Sequence, residues 1–235
     1  MRESKGNMYV FVTHTHNDIQ GKCSHDCKYC YMKEFEQHPI RLNEKALREN
    51  LGSGNFIFFG SSTDMFANDV PSDWIIKTLE HCKKYPNNRY LFQTKNTIRL
   101  YEFKSYFNEM HVVLGTTIES NRVHKDFMGN TIHPAIRAQQ LVDFKTTDKL
   151  KKMVTIEPIM DFDVEELTNL IKICEPEWIN IGADSKNHNL PEPSPEKIRA
   201  LIKNIAKFTD IKGKHNLRRI VVIPETEAHR EEKKN

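Results

Sequence analysis

Three cysteines near the start of the chain have the residue type and spacing of a metal-binding loop. Cys23, Cys27 and Cys30 stand in the spacing CxxxCxxC within the run CSHDCKYCY. The residues between them are Lys, Asp, Ser, His and Tyr, which is mostly a loop composition and not that of a buried core. Three thiolates on one loop can bind three corners of a cubane iron–sulfur cluster. The other two cysteines, Cys82 and Cys174, lie far along the chain, so one iron would stay open to a small molecule.

Zinc is the alternative ligand for these cysteines. Structural zinc usually has four protein ligands, often two CxxC pairs, and the sequence contains no second pair. His14, His16 and His25 offer a fourth ligand for a Cys3His site. Three residues separate Cys23 from Cys27, and the long chain has only one such cysteine motif. Both features favour an iron–sulfur cluster over zinc. The zinc interpretation implies a nucleic-acid-binding module without catalysis.

Length and composition predict a globular protein in a reducing compartment. A chain of 235 residues with 38% hydrophobic and 29% charged residues can bury one substantial core. Its apolar runs are too short to cross a bilayer, and we expect no signal peptide. Five cysteines, three of them clustered, argue against a disulfide scaffold, so we expect a cytoplasmic protein with no membrane partner. The net charge of +3 neither demands nor excludes a nucleic-acid partner. We expect one domain over residues 1–225 and a charged, disordered tail over residues 226–235.

Short β-rich runs alternate with amphipathic helical patterns along the chain. This alternation predicts an α/β fold with a mostly parallel sheet covered by helices. Six β–α units joined by right-handed crossovers would curl into an open partial barrel. Residues 217–224, LRRIVVIP, are either a seventh strand or a return segment. The predicted strands are residues 8–12, 56–59, 90–93, 111–116, 153–156 and 178–181.

Helix starts are readable from capping residues. Helices are predicted after Asn43, Ser72, Asp163 and Ser194, the last with Pro195 in its first position. Cys82 and Cys174 fall on apolar stripes of two of these helices, which predicts core positions for both.

Polar residues follow several predicted strands, where the βα loops of a parallel barrel gather its chemistry. Each has an ordinary explanation as well: a polar turn, a surface lysine or an acid at a helix start. Arg137 is either a partner of Glu119 or Glu157, or a solvated helix arginine. The strand-end candidates are Gly60, Ser61, Ser62 and Thr63 after the second strand, Lys95 after the third, Thr117, Glu119 and Asn121 after the fourth, and Glu157 after the fifth.

The cysteine run, with Tyr29 just before the third cysteine, resembles the cluster loop of the radical S-adenosylmethionine (radical SAM) superfamily. The resemblance implies a partial (β/α)6 barrel and a [4Fe–4S] cluster on Cys23, Cys27 and Cys30. In that superfamily S-adenosylmethionine chelates the open iron and is reductively cleaved to a 5′-deoxyadenosyl radical, which abstracts hydrogen from a substrate. An electron donor such as flavodoxin or ferredoxin is also implied.

The strand ends fit the same resemblance. The segment GSSTD is similar to that of spore photoproduct lyases and some phage-associated radical SAM proteins. By that likeness, residues 60–63 contact the amino group of S-adenosylmethionine and Lys95 its carboxylate. Thr117 and Glu119 lie where the ribose hydroxyls are expected, and Glu157 where adenosine or substrate is expected. Nucleic acid or a nucleotide is then the favoured substrate, ahead of a peptide or small metabolite. Spore photoproduct lyases carry a hydrogen-donating cysteine where this chain has Ser61, which puts the same repair chemistry in doubt.

Overall fold

The computed structural model describes residues 1–5 and 9–222. Its strands are β1 (Arg2–Glu3), β2 (His14–His16), β3 (Ile19–Gln20), β4 (Arg41–Leu42), β5 (Phe56–Phe59), β6 (Arg89–Thr94), β7 (His111–Thr117), β8 (Leu150–Ile156), β9 (Trp178–Ile181) and β10 (Asp210–Gly213). Its α-helices are α1 (Ser72–Lys83), α2 (Lys104–Glu109), α3 (Lys125–Met128), α4 (Pro134–Leu141), α5 (Val164–Ile173) and α6 (Pro195–Ile205). Short 3-10 stretches cover Tyr31–Glu34, Ala46–Arg48, Thr97–Phe103 and His215–Arg219. Within the described ranges, no helix has both the length and the apolar character needed to cross a membrane.

One large sheet runs in the order β1-β2-β5-β6-β7-β8-β9-β10. Every neighbouring pair from β2 to β10 is parallel, and β1 adds an antiparallel edge strand. The sheet is open, because β1 and β10 lie at its two edges. This confirms the predicted α/β class and partial barrel. The sheet has seven parallel strands, one more than the six that were predicted.

The two faces of the sheet pack against different parts of the chain. Side chains such as Ile57, Phe92 and Val154 point outward into the core that the helices cover. Their neighbours Phe58, Leu91 and Met153 point inward and pack with Tyr9, Val12 and Trp178. Alternation along a strand explains this division. Strands buried on both faces have the continuous apolar character seen in the sequence.

The first predicted strand is wrong. Met8 lies outside the described residues, and residues 9–12 form a turn, while the first parallel strand is β2 at His14–His16. Residues 9–12, here called the N-terminal plug, fill the inside of the barrel: Tyr9 is 2% exposed and Phe11 lies against Trp178 with 5.1 Å between ring centroids. The apolar run is explained by this packing and not by strand pairing.

The seventh parallel strand also differs from expectation. It is β10 at Asp210–Gly213, and the segment 217–224 is not a strand where it is described: its first residues lie in the 3-10 stretch His215–Arg219. Residues 223 and 224, like the predicted tail 226–235, lie outside the described residues. The polar sequence DIKG has no strong strand pattern, and β10 forms because β9 offers it a parallel edge.

The helix predictions hold in outline. Ser194 accepts a hydrogen bond from the Lys197 amide and Pro195 is the first residue of α6. Asp163 precedes α5, although its carboxylate bonds Arg122 instead of the helix amides. The segment after Asn43 forms only the 3-10 stretch Ala46–Arg48. Cys82 and Cys174 are fully buried, as predicted.

Candidate functional site

A cavity of about 1400 Å³ opens at the carboxyl ends of the parallel strands. The cysteine loop, residues 23–30, forms one wall, and the ends of β5 to β10 form most of the rest. Glu119 does not line the cavity and is fully buried behind it. The predicted site residues that line it are Cys23, Cys27, Tyr29, Cys30, Gly60, Ser61, Ser62, Thr63, Lys95, Thr117 and Glu157.

The cysteine loop is fastened to the segment after β7 by backbone contacts. The Lys28 amide donates to the Phe127 carbonyl at 2.8 Å, and the Asn130 amide donates to the His25 carbonyl at 2.7 Å. Gly129 lies between these contacts with φ +63°, and a Cβ there would stand 2.2 Å from the His25 carbonyl oxygen. Only glycine fits this close approach.

Asp64 anchors the same loop to β5 and β6. Its Oδ2 lies 2.8 Å from His25 Nε2 and accepts from the Thr94 hydroxyl and the Lys95 amide, each at 2.9 Å. Its Oδ1 accepts from the Phe66 amide at 2.9 Å. Burial would raise the pKa of Asp64, but His25 and these hydrogen bonds outweigh burial and lower the pKa. His25 is therefore engaged by a carboxylate. Asp64 is the last residue of the segment GSSTD, and the sequence alone gave no sign of this anchoring role.

A buried triad fastens Tyr29, the residue before the third cysteine. The Tyr29 hydroxyl donates to one carboxylate oxygen of Glu119, and Arg137 Nη2 donates to the other at 2.7 Å. Glu119 and Arg137 are both 0% exposed, which settles the position of Arg137 in favour of the Glu119 partner. Burial would raise the pKa of Glu119, but the charges of Arg137 and Lys95 outweigh it and hold the pKa at about 2. Both carboxylate oxygens of Glu119 are thus occupied by protein groups.

Lys95 lies beside the cysteine loop. Its Nζ stands 5.5 Å from the centre of the Tyr29 ring. Burial would lower the pKa of Lys95, but the nearby Cys27 and Glu119 raise it, so the ammonium stays charged. A fixed cation at the cavity wall is available to a carboxylate ligand.

Several groups of the strand-end segment 60–63 form hydrogen bonds within the protein that hold the segment in place. Gly60 has φ +74°, and Tyr31 donates to the Ser61 carbonyl at 2.6 Å. The Thr63 hydroxyl donates to the Gly21 carbonyl at 2.7 Å, and the Ser61 hydroxyl exchanges hydrogen bonds with the Asn17 side chain. Ser62 lines the cavity, and its hydroxyl makes no hydrogen bond within the described part of the chain.

The opposite wall holds Glu157 and two residues that the sequence did not reveal. Lys214 Nζ lies 2.8 Å from one Glu157 oxygen, and Asn216 Nδ2 lies 3.4 Å from the other. Both partners follow β10, the strand that the sequence analysis did not predict, so they were not predicted either.

Thr117 lies between these two walls of the cavity and accepts a hydrogen bond from Gln93 Nε2 at 3.2 Å.

The other two histidines that were candidates for a zinc site, His14 and His16, bond other residues. His14 bonds the Thr13 hydroxyl. His16 joins a second buried cluster outside the cavity, where Asp18 lies 2.8 Å from His16 Nε2 and 3.3 Å from His81 Nδ1. Burial would raise the pKa of Asp18, but the two imidazoles outweigh it and lower the pKa. This cluster ties β2 and α1 to the segment that leads into the cysteine loop.

The open, mostly parallel barrel has the partial-barrel fold of the radical SAM structures on which it superimposes. A spore photoproduct lyase variant superimposes with a TM-score of 0.56 at 14% identity, covering 89% of this chain and 64% of that one. A spore photoproduct lyase variant with bound AdoMet and dinucleoside spore photoproduct gives 0.52 at 14%, covering 83% and 61%. Native anSMEcpe with bound AdoMet gives 0.54 at 12%, covering 83% and 60%. The chain therefore spans less than two thirds of each structure.

The chain belongs to the family described as "Protein of unknown function (DUF5131)", whose model matches residues 8–207. No curated protein matches the sequence.

Proposed function

We propose that Cys23, Cys27 and Cys30 bind a [4Fe–4S] cluster and that the protein reductively cleaves S-adenosylmethionine. The observation that carries the proposal is that all three thiols line one cavity with Lys95 and the strand-end segment 60–63. A set of three thiolates fits a cluster with one open iron better than it fits structural zinc, since His25 already bonds Asp64. A cluster bound there would pass one external electron to S-adenosylmethionine, whose C–S bond would break to give methionine and a 5′-deoxyadenosyl radical able to abstract hydrogen from the substrate.

The protein's own residues position the cofactors in this proposal. Lys95 binds the methionyl carboxylate, and the segment 60–63 offers the Ser62 hydroxyl and backbone groups to the amino group. Thr117 and Glu157 face the cavity where the nucleoside would lie. Glu119, predicted to contact ribose, acts instead through Tyr29, because it is fully buried and does not line the cavity. An electron donor such as flavodoxin or ferredoxin and a reducing, cytoplasmic location belong to the same proposal.

The substrate we propose is nucleic acid or a nucleotide. A spore photoproduct lyase has been seen with a dinucleoside photoproduct, whereas anSMEcpe has been seen with a peptide. Ser61 stands in the strand-end segment, and its hydroxyl bonds Asn17, so no thiol donates hydrogen from this position. We therefore propose a substrate reaction other than photoproduct repair.

Removing single cysteines tests the cluster. Under anaerobic reconstitution, Cys23→Ala, Cys27→Ala and Cys30→Ala should each lose most bound iron, because two thiolates cannot hold the cubane. Cys82→Ala and Cys174→Ala are the controls. Both side chains are buried in the hydrophobic core, so these variants should keep full iron. Dithionite-reduced wild type should convert S-adenosylmethionine to 5′-deoxyadenosine, measured by mass spectrometry. Stoichiometric zinc with no iron, or full iron in a Cys27→Ala variant, would overturn the proposal.

A further inference from the structure

Two histidines converge on one aspartate in a buried group outside the cavity, here called the His-Asp-His group. Its members are His16 at the end of β2, Asp18 just before β3 and His81 on α1, and they are 3%, 1% and 2% exposed. Asp18 Oδ1 lies 2.8 Å from His16 Nε2, and Asp18 Oδ2 lies 3.3 Å from His81 Nδ1. Both groups that face this buried carboxylate are therefore of a type that also binds metal ions.

A hydrogen bond on the other side of His81 restricts its protonation. His81 Nε2 lies 2.8 Å from the backbone carbonyl oxygen of Glu49, which can only accept, so Nε2 carries a proton. In neutral imidazole the second nitrogen, Nδ1, then has a lone pair and no proton. That lone pair faces Asp18 Oδ2, which is itself an acceptor in the ionised carboxylate. Two buried acceptors 3.3 Å apart require a positive species between them, either a second proton on His81 or a metal cation.

The geometry of the group favours a metal cation over a proton. A metal-binding histidine usually donates its other ring N–H to a carbonyl or a carboxylate, as His81 does to Glu49. The candidate ligand atoms of the three residues all lie within 4.8 Å of one another. Ligand atoms around a tetrahedral zinc ion, with bonds of about 2.0 Å, are about 3.3 Å apart, close to the two separations from Asp18. A proton on His81 explains one of these contacts, whereas a metal ion explains why both imidazoles meet the same carboxylate.

We propose that His16, Asp18 and His81 bind a divalent metal ion, and that Zn²⁺ is the ion this ligand set fits best. His16 supplies Nε2, His81 supplies Nδ1, and Asp18 supplies both carboxylate oxygens, which gives four donor atoms. Imidazole and carboxylate are both ordinary zinc ligands. Catalytic iron sites that use two histidines and one carboxylate keep open positions for reactants, which suits a cavity and not a group this buried.

The metal ion has a structural role in this proposal. Asn17 lies between two of the ligands in sequence, and its Oδ1 accepts from the Ser62 amide at 3.0 Å. The Asp18 carbonyl accepts from the Asn43 amide at 2.7 Å. A metal ion on the His-Asp-His group thus fixes the segment between β2 and Cys23 against α1 and against the strand-end segment 60–63. The site is separate from the three cysteines and goes beyond the cofactor chemistry proposed above.

Metal content and zinc spectroscopy of the cluster-loaded protein test the site directly. After incubation with stoichiometric Zn²⁺ and gel filtration, metal analysis by mass spectrometry should find one zinc per chain in addition to iron. X-ray absorption at the zinc edge detects zinc alone, so the iron does not interfere. It should show nitrogen and oxygen neighbours at about 2.0–2.1 Å with imidazole scattering, and no sulfur at about 2.3 Å. No bound zinc, or a spectrum with sulfur and no imidazole, would overturn the inference.

The variant Asp18→Asn separates metal binding from hydrogen bonding. An amide can accept from His16 Nε2 and donate to His81 Nδ1, so both contacts survive without a cation. Zinc affinity, measured by competition with a fluorescent chelator, should fall at least about 100-fold, because losing a residue that only supports a ligand already costs about 10- to 100-fold. Asp73→Asn is the control, since Asp73 is an exposed residue of the helix that carries His81, and it should bind zinc as wild type does. Unchanged affinity in Asp18→Asn contradicts the proposed ligand set.

A background without the cysteine loop's thiols keeps the two proposals apart. In the full chain with Cys23, Cys27 and Cys30 all changed to alanine, one Zn²⁺ per chain should still bind, with the same imidazole spectrum. Zinc binding there, with no S-adenosylmethionine cleavage by wild type, would remove the catalytic function and keep the metal site. Cleavage by wild type with no zinc bound to either protein would remove only the metal site.

Discussion

Glu119 and Arg137 show how much one buried charge pair can organise. Neither side chain is exposed, and their contact is linked through Tyr29 to the cysteine loop. A buried ion pair is weak evidence for net stability, but removing one partner leaves a charge without compensation. The pair is therefore better understood as fixing a geometry than as strengthening the fold.

A double-mutant cycle measures this coupling. Glu119→Gln and Arg137→Met should each lower the free energy of unfolding by about 3–5 kcal/mol, because each leaves a buried partner unsatisfied. The double variant should lose at least about 2 kcal/mol less than the sum of the two. Urea unfolding of the metal-free proteins gives all three values. Additive losses would show that the two residues act independently.

At the scale of elements, the loop that carries the cysteines depends on the loop that follows α3. Gly129 has φ +63° and no room for a Cβ, whereas Gly54 has φ +75° and nothing within 4 Å of the same position. The two glycines share a positive φ, and they differ in what a Cβ would meet. They make a matched pair for experiment.

Gly129→Ala should sharply reduce iron bound after reconstitution, because the added methyl displaces the His25 carbonyl and the loop with it. Gly54→Ala should carry only the backbone strain, about 1 kcal/mol, and bind iron as wild type does. Circular dichroism would establish that both variants fold, and iron assay would compare them. Equal iron content in the two variants contradicts the proposed anchoring.

Local patterns predicted what depends on neighbours in sequence. The strands at Phe56–Phe59 and Trp178–Ile181 agree with expectation, and the carboxyl ends of β6 and β8 bring Lys95 and Glu157 to the cavity that Cys27 also lines. The partner of Arg137, which the sequence left open, and the strand β10, which was missed, both depend on distant residues. Arg137 has the sequence of a surface helix residue, and β10 has weak strand character of its own. Their positions are set by Glu119 and by the edge of β9, which no local pattern encodes.

At the scale of the whole molecule, the N-terminal plug joins the two ends of the chain. Phe11 contacts Phe56 at 5.3 Å and Trp178 at 5.1 Å between ring centroids, and Lys212 Nζ stands 4.4 Å from its ring. These contacts connect the beginning of the sequence with β9 and β10. The inside of the barrel is thus closed by residues from both termini of the fold.

Phe11→Ala should lower the free energy of unfolding by about 1–3 kcal/mol, less than a fully buried phenylalanine because Phe11 is half-buried. Phe35→Ala is the control, since Phe35 is 58% exposed, and should change stability by less than about 0.5 kcal/mol. Urea titration followed by fluorescence reports both. Similar values for the two variants would mean that the plug contributes no more than a surface residue.

The residues that anchor the cysteine loop lie far along the sequence from it, and this separation has a consequence for synthesis of the protein. Tyr29 and Glu119 are separated by 90 positions, and the other partner of that carboxylate comes later still, at Arg137. Ribosomes add about 5–20 residues per second, so roughly 5–20 s pass between the emergence of the cysteines and that of their anchors. During this interval the thiols are present without the geometry that groups them. For the cluster that we propose, insertion is therefore expected only after translation of α4, and the three neighbouring thiols must stay reduced until then.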